Sequence, residues 1–247
     1  MLPPDLQTAE SEAFLALRAA LAEQAQGLWS LEWRFEGLRL LPVALRLLDR
    51  LVADGIDAAL LFPDAGAAAL ACRDAPALAG RISSFSDHSR RQAAEAGEAA
   101  EAPEVAEAPE AGAGSDQVLI LVAASQPDYE TVEGLAARHR GGLVLLNPSL
   151  LDAAVGIGRV ARQRRRGLLS QIRTAYALQP LSGAALRRAH PGDWELYRLD
   201  TDGYRFAASF ADRPDAEALD QALAGDSGLS LSRGLQRLDD LLDGLQR

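Results

Sequence analysis

The chain has 247 residues, and 35 acidic side chains outnumber 25 basic ones, for a net charge of −10 and a pI near 4.8. Every one of those basic residues is an arginine, and the absence of lysine excludes Schiff-base catalysis and a P-loop, whose lysine reaches the terminal phosphates. The acidity argues against non-specific binding to nucleic acid or to an anionic membrane, leaving at most peripheral membrane association.

The length fits one large domain or two small ones, and the apolar share of 48% is enough for a packed core. A single cysteine, Cys72, permits neither an internal disulfide nor a cysteine zinc site. His88, His139 and His190 are scattered without metal-ligand spacing, so no metal and no cofactor is expected. The opening residues, MLPPDLQTAESEAF, have neither a cationic start nor an apolar core and predict no secretory signal. The longest apolar runs, such as Val118–Ala124, are too short to span a bilayer. These features together predict a cytoplasmic protein.

In chain order, Pro4–Glu23 is an amphipathic helix, with Leu6, Phe14, Leu17 and Leu21 at helical spacing. Leu28–Phe35 alternates like a half-buried strand. Leu28, Ser30, Glu32 and Arg34 point one way; Trp29, Leu31, Trp33 and Phe35 point the other. Leu40–Ala53 returns to the helical period and stops near Gly55. Ala58–Phe62 is a short apolar strand, Ala65–Cys72 a small-residue helix and Arg81–Phe85 a further strand. Residues Ala93–Ser115 hold six glutamates and no basic residue, so six of the ten net negative charges fall there. With almost nothing to bury, that stretch reads as an acidic insertion, disordered or loosely helical, in a single domain over residues 1–225.

Beyond it, Val118–Ala123 and Leu143–Asn147 are buried strands flanking the helix Pro127–Arg138. Strands that are continuous apolar runs separated by helices indicate a parallel sheet covered on both faces. After Arg159–Ile172 the pattern shortens to Tyr176–Leu181, Ala184–His190, Trp194–Leu199 and Tyr204–Phe210, with Asp202-Gly203 as a hairpin turn. Helices near Asp215–Leu223 and Ser230–Leu245 close the chain. The second carries Leu231, Leu235, Leu238, Leu242 and Leu245 as a leucine stripe within residues 226–247. The fold class is therefore α/β: a mainly parallel, Rossmann-like sheet with helices on both faces, then an antiparallel extension and C-terminal helices.

In such sheets ligands sit outside the carboxyl ends of the strands. Three loops qualify: one with Pro63, Asp64 and Gly66, one with Ser125 and Asp128, and one with Asn147 and Pro148. Amides at the helix start after Asp64 could hold an anion, but Asp64 as an N-cap would compete for them. Gly156 and Gly158 form half of a dinucleotide fingerprint without its third glycine. Arg159, Arg162, Arg166 and Arg173 fall on one stripe if that segment is helical, a surface suited to phosphate, carboxylate or an acidic partner. No nucleophile–base constellation emerges, so no catalytic residue is assigned and an enzymatic role is disfavoured.

The segment LFPDAGAAALACRD, Leu61–Asp74, resembles a signature of a domain of unknown function found in cyanobacteria and chloroplasts. Val144-Leu145-Leu146-Asn147-Pro148, Val155-Gly156-Ile157-Gly158 with Ala161-Arg162-Gln163, and Tyr176, Leu178, Pro180-Leu181, Pro191 and Trp194 follow in matching order. Cys72 and Gln179 depart from the pattern, which has basic residues there. The family includes the low-photosystem-II-accumulation assembly factor, and it supplies no established catalytic residues. The resemblance implies a non-enzymatic auxiliary factor for assembly or maintenance of photosynthetic complexes. Such a factor would contact their subunits or assembly factors from the cytoplasmic side, at the thylakoid surface. The alternative is a protein or enzyme that takes a phosphorylated or nucleotide-like anion at the strand-end loops.

Overall fold

The computed structural model describes residues 1–101, 116–150 and 167–224. Nine strands form one sheet: β1 (Leu28–Trp33), β2 (Ala58–Phe62), β3 (Ile82–Ser84), β4 (Val118–Val122), β5 (Leu143–Leu146), β6 (Arg173–Leu181), β7 (Ala184–Ala189), β8 (Trp194–Asp200) and β9 (Gly203–Phe210). Their order is β3-β2-β4-β5-β1-β6-β7-β8-β9. The first six pair in parallel and the last three antiparallel. The α/β class with an antiparallel extension is therefore the architecture of the protein.

Among the described residues the α-helices are α1 (Leu6–Glu23), α2 (Leu40–Ala53), α3 (Ala65–Asp74), α4 (Phe85–Glu101), α5 (Tyr129–Arg138) and α6 (Ala216–Ala224). Asp5 starts α1 by accepting the Thr8 amide at 2.7 Å, as an N-cap does. Ala9, Ala13, Phe14, Ala16, Leu17 and Ala20 then give α1 one buried stripe. At the end of α2 the chain turns through Gly55, at φ 81°, and Ile56 N–H returns to the Leu51 carbonyl.

The two faces of the sheet carry separate cores. α1, α2 and α3 pack on one face against Trp29, Leu31, Trp33, Leu60 and Ile120. On the other, Phe85 of α4 and Val132 and Leu135 of α5 pack against Leu61, Leu119, Leu121 and Leu145. Farther along that second face, α6 sets Leu219 against Ala177, Leu186 and Trp194. Among the described residues no helix is long and apolar enough to cross a membrane.

Three expectations need correction. β1 is not half-buried. It lies inside the sheet between β5 and β6, and its polar members Ser30 and Glu32 are 1% and 6% exposed. Arg173 belongs to no helical stripe; it opens β6 opposite Trp29, with its guanidinium 4.4 Å from that indole ring and 2.7 Å from Glu23. Ser84 ends a strand of only three residues, and α4 then starts at Phe85 and runs into the acidic segment as far as Glu101. Residues 102–115, the Gly156/Gly158 pair, Arg159, Arg162, Arg166 and the 226–247 leucine stripe lie outside the described residues.

Candidate functional site

The connections leaving β1 and β5 run in opposite directions across the sheet, toward β2 and toward β6, so a crevice is expected between their carboxyl ends. Asn147 occupies that point. Its side chain accepts the Trp33 amide at 2.7 Å and donates to the Trp33 carbonyl at 2.8 Å, while its backbone takes a φ of 49°. Beside it Arg34 donates to the Pro148 carbonyl at 2.6 Å. A second reversal separates β2 from β4. There Asp64 accepts the Ala67 amide at 2.8 Å as the N-cap of α3, and Asp128 accepts from both the amide and the hydroxyl of Ser125 at 2.8 Å. Gly66 sits in the first turn of α3, where an added Cβ would meet Asp64 Oδ1 at 3.0 Å.

Asp64, Ser125 and Asp128 are thus committed to capping their own loops, and Asn147 to bracing the end of β1. Asp64→Ala is expected to cost about 1 kcal/mol of stability through loss of the cap, read as an earlier denaturant midpoint.

A concave feature lies elsewhere on the described residues. A cleft of about 550 Å³ opens on the α4/α5/α6 face over β1, β6, β7 and β8. Its floor is polar: the Ser30 hydroxyl is 3.2 Å from Glu32 Oε1 and 3.3 Å from Thr174 Oγ1. Its walls bring together Arg34, Arg173, Arg188 and Arg213, against two carboxylates, Glu32 and Asp212. Glu32 serves Arg34 at 3.4 Å and Arg213 at 3.6 Å. Arg188 and Arg213 both lie over the Trp194 ring, at 5.7 and 5.2 Å from its centroid. Of the sequence-derived candidates among the described residues, Pro148 and Arg173 line this cleft. Trp194 entered only as a position of the family resemblance, and Ser30, Glu32, Thr174, Arg188 and Arg213 carry no motif that would have marked them.

On the opposite face an apolar groove of about 340 Å³ runs between the N-terminal segment and the antiparallel extension. Leu2, Leu6, Phe35, Leu178, Pro180 and Tyr204 line it. It leads to β9, the edge of the sheet, where Tyr204 is 45% and Phe206 59% exposed. Among the described residues no strand pairs with the outer edge of β9.

Residues 3–221 match the model of a family described as Domain of unknown function, DUF1995. A search of curated proteins gave no match.

Proposed function

The chain belongs to the DUF1995 family, and we propose that it is a non-enzymatic auxiliary factor that helps assemble or maintain photosynthetic complexes of the photosystem II type through protein–protein contacts. One observation carries the reading. The groove beside Phe35 reaches β9 at Tyr204, and among the described residues no strand pairs with the outer edge of β9; exposed aromatic side chains rimmed by charge mark protein contacts. An unpaired edge strand offers a row of amides and carbonyls to an extended partner segment, and apolar anchors at alternate positions fit Tyr204 and Phe206. Arg205, between those two, is held by Asp200 and Asp202, and charge on an edge strand disfavours pairing with a second copy. The resemblance supplies the partner class: a photosystem subunit or a second assembly factor, met at the cytoplasmic surface of the thylakoid.

The test is affinity capture with cross-linking from solubilised photosynthetic membranes, comparing the wild-type chain with a Tyr204→Glu, Phe206→Glu variant. Photosystem subunits recovered with the wild type should be lost with the variant. Loss of the Phe206 contact to Tyr197, 5.9 Å between ring centroids, should cost only about 1 kcal/mol of stability. Recovery of no photosystem component, or equal recovery by both chains, would reject the reading.

A further inference from the structure

We infer that the arginine cleft on the α4/α5/α6 face is a binding site for a small phosphorylated polyol of the sugar-phosphate type, with the phosphate at Arg188 and Arg213 and the hydroxyls over Glu32, Ser30 and Thr174. The inference is independent of the β9 contact surface, which lies across the sheet. Four observations converge on it.

The first is charge. On a chain of net charge −10, a cleft with four arginines to two carboxylates runs against the overall field. A solvated surface of this chain needs no such concentration; an anion site does.

The second is partnering. Glu32 answers Arg34 and Arg213, and Glu23 answers Arg173 from outside the cleft. Arg188 has no carboxylate within ion-pair distance among the described residues, and its Nε is buried without a hydrogen-bond partner. An unmatched buried donor on a cation is costly, and a ligand oxygen is the group that would satisfy it. Burial first, and then the nearby positive charge of Arg173, push the Arg188 guanidinium below its ordinary pKa; Asp193 and Asp212 only partly offset them. An incoming anion would reverse that penalty.

The third is geometry. Arg188 and Arg213 share one indole ring, Trp194, which is 2% exposed and draws both guanidinium groups over its face. Two guanidinium forks gathered on one ring suit a phosphate, which accepts hydrogen bonds on three oxygens, better than a single carboxylate.

The fourth is the floor. A buried carboxylate with two adjacent hydroxyls is an acceptor-rich surface that binds hydroxyl donors. At about 550 Å³ the cleft falls in the usual size range for small-molecule sites. Trp194 is too buried to stack a base, which separates a sugar phosphate from a nucleotide.

The experiment is titration calorimetry and thermal unfolding of the full chain with inorganic phosphate, glucose 6-phosphate, glycerol 3-phosphate, citrate and adenosine monophosphate. A sugar phosphate should bind at least tenfold more tightly than inorganic phosphate and should raise the unfolding midpoint with concentration. Arg188→Met, which keeps the stem over Trp194, should weaken it at least tenfold. Arg213→Gln should do the same and stands in if Arg188→Met fails to fold. Glu32→Gln should erase the preference over inorganic phosphate while leaving phosphate itself bound. No binding by any probe, equal binding by the arginine variants, or citrate and phosphate matching the sugar phosphates would each overturn the assignment.

Discussion

Arg187→Met should lower the unfolding free energy by about 3 kcal/mol at neutral pH, the cost of leaving paired, poorly solvated carboxylates without their cation. Arg187, on β7, is only 14% exposed at its side chain and joins two acids from distant parts of the chain. Its Nε and Nη2 donate to Glu12 of α1 at 3.1 and 3.0 Å, and its Nη1 donates to Glu195 of β8 at 2.7 Å. Tyr176 donates to the same Glu12 oxygen at 3.2 Å and Tyr197 to the same Glu195 oxygen at 2.8 Å. The network also reaches the chain start, because the Met1 ammonium donates to the Tyr197 hydroxyl at 2.8 Å.

The network's response to pH has a definite sign. Burial pushes the Glu195 carboxyl up, but hydrogen bonds from Tyr197 and Arg187 outweigh it and hold that carboxyl below the usual carboxylate range. A group lowered in this way adds stability above its unfolded pKa, and that stability is lost as pH falls through the folded value. The gap between wild type and Arg187→Met should therefore be widest at pH 7 and shrink below about pH 4, where the unfolded carboxylates protonate. Tyr197 is pushed up to about 12, by burial first and then by Glu195, so it stays a donor throughout that range. Urea unfolding at the two pH values measures the gap, and an equal gap at both would leave only lost methylene packing as the cause. The network also clamps α1 to the antiparallel extension, which sets the width of the apolar groove. Partner capture should fall with the same variant.

Much of the scaffold was legible because local physics determines it. The apolar runs of β2, β4 and β5, the 3.6-residue stripes of α1 and α2 and the Asp202-Gly203 turn each follow from side-chain size and backbone freedom over a few residues. What was not legible depended on pairing between distant segments. Alternation in LWSLEWRF says that one face is polar, not whether water or another part of the chain covers it. Only the placement of β1 between β5 and β6 turns Ser30 and Glu32 from a wet face into the floor of a cleft. Arg173 fitted a helical stripe by spacing, yet strand pairing opposite Trp29 decided its conformation. The remaining cleft residues, Arg188, Trp194 and Arg213, come from three successive parts of the antiparallel extension. Antiparallel register sets Arg188 opposite Trp194, and Arg213 reaches the same ring from the segment that follows β9, so no sequence interval announces the cluster.

Asn147→Ala should cost about 3 kcal/mol, and Asn147→Gly about 2, when measured by equilibrium unfolding. Both variants lose the pair of hydrogen bonds to the Trp33 backbone, worth about 1 kcal/mol each. Alanine adds a left-handed backbone penalty of about 1 kcal/mol at φ 49°, which glycine avoids apart from its greater freedom when unfolded. That ordering, glycine better tolerated than alanine, separates a structural bridge from a ligand contact, because a ligand contact through the amide would be lost equally in both. Equal stability of all three chains would return Asn147 to the list of binding candidates. The bridge has a functional consequence as well. By holding Trp33 at both its amide and its carbonyl, Asn147 fixes the backbone on either side, and so sets where Glu32 and Arg34 enter the cleft. Even the glycine variant should therefore bind sugar phosphates more weakly than the wild type, although no atom of Asn147 need touch the ligand.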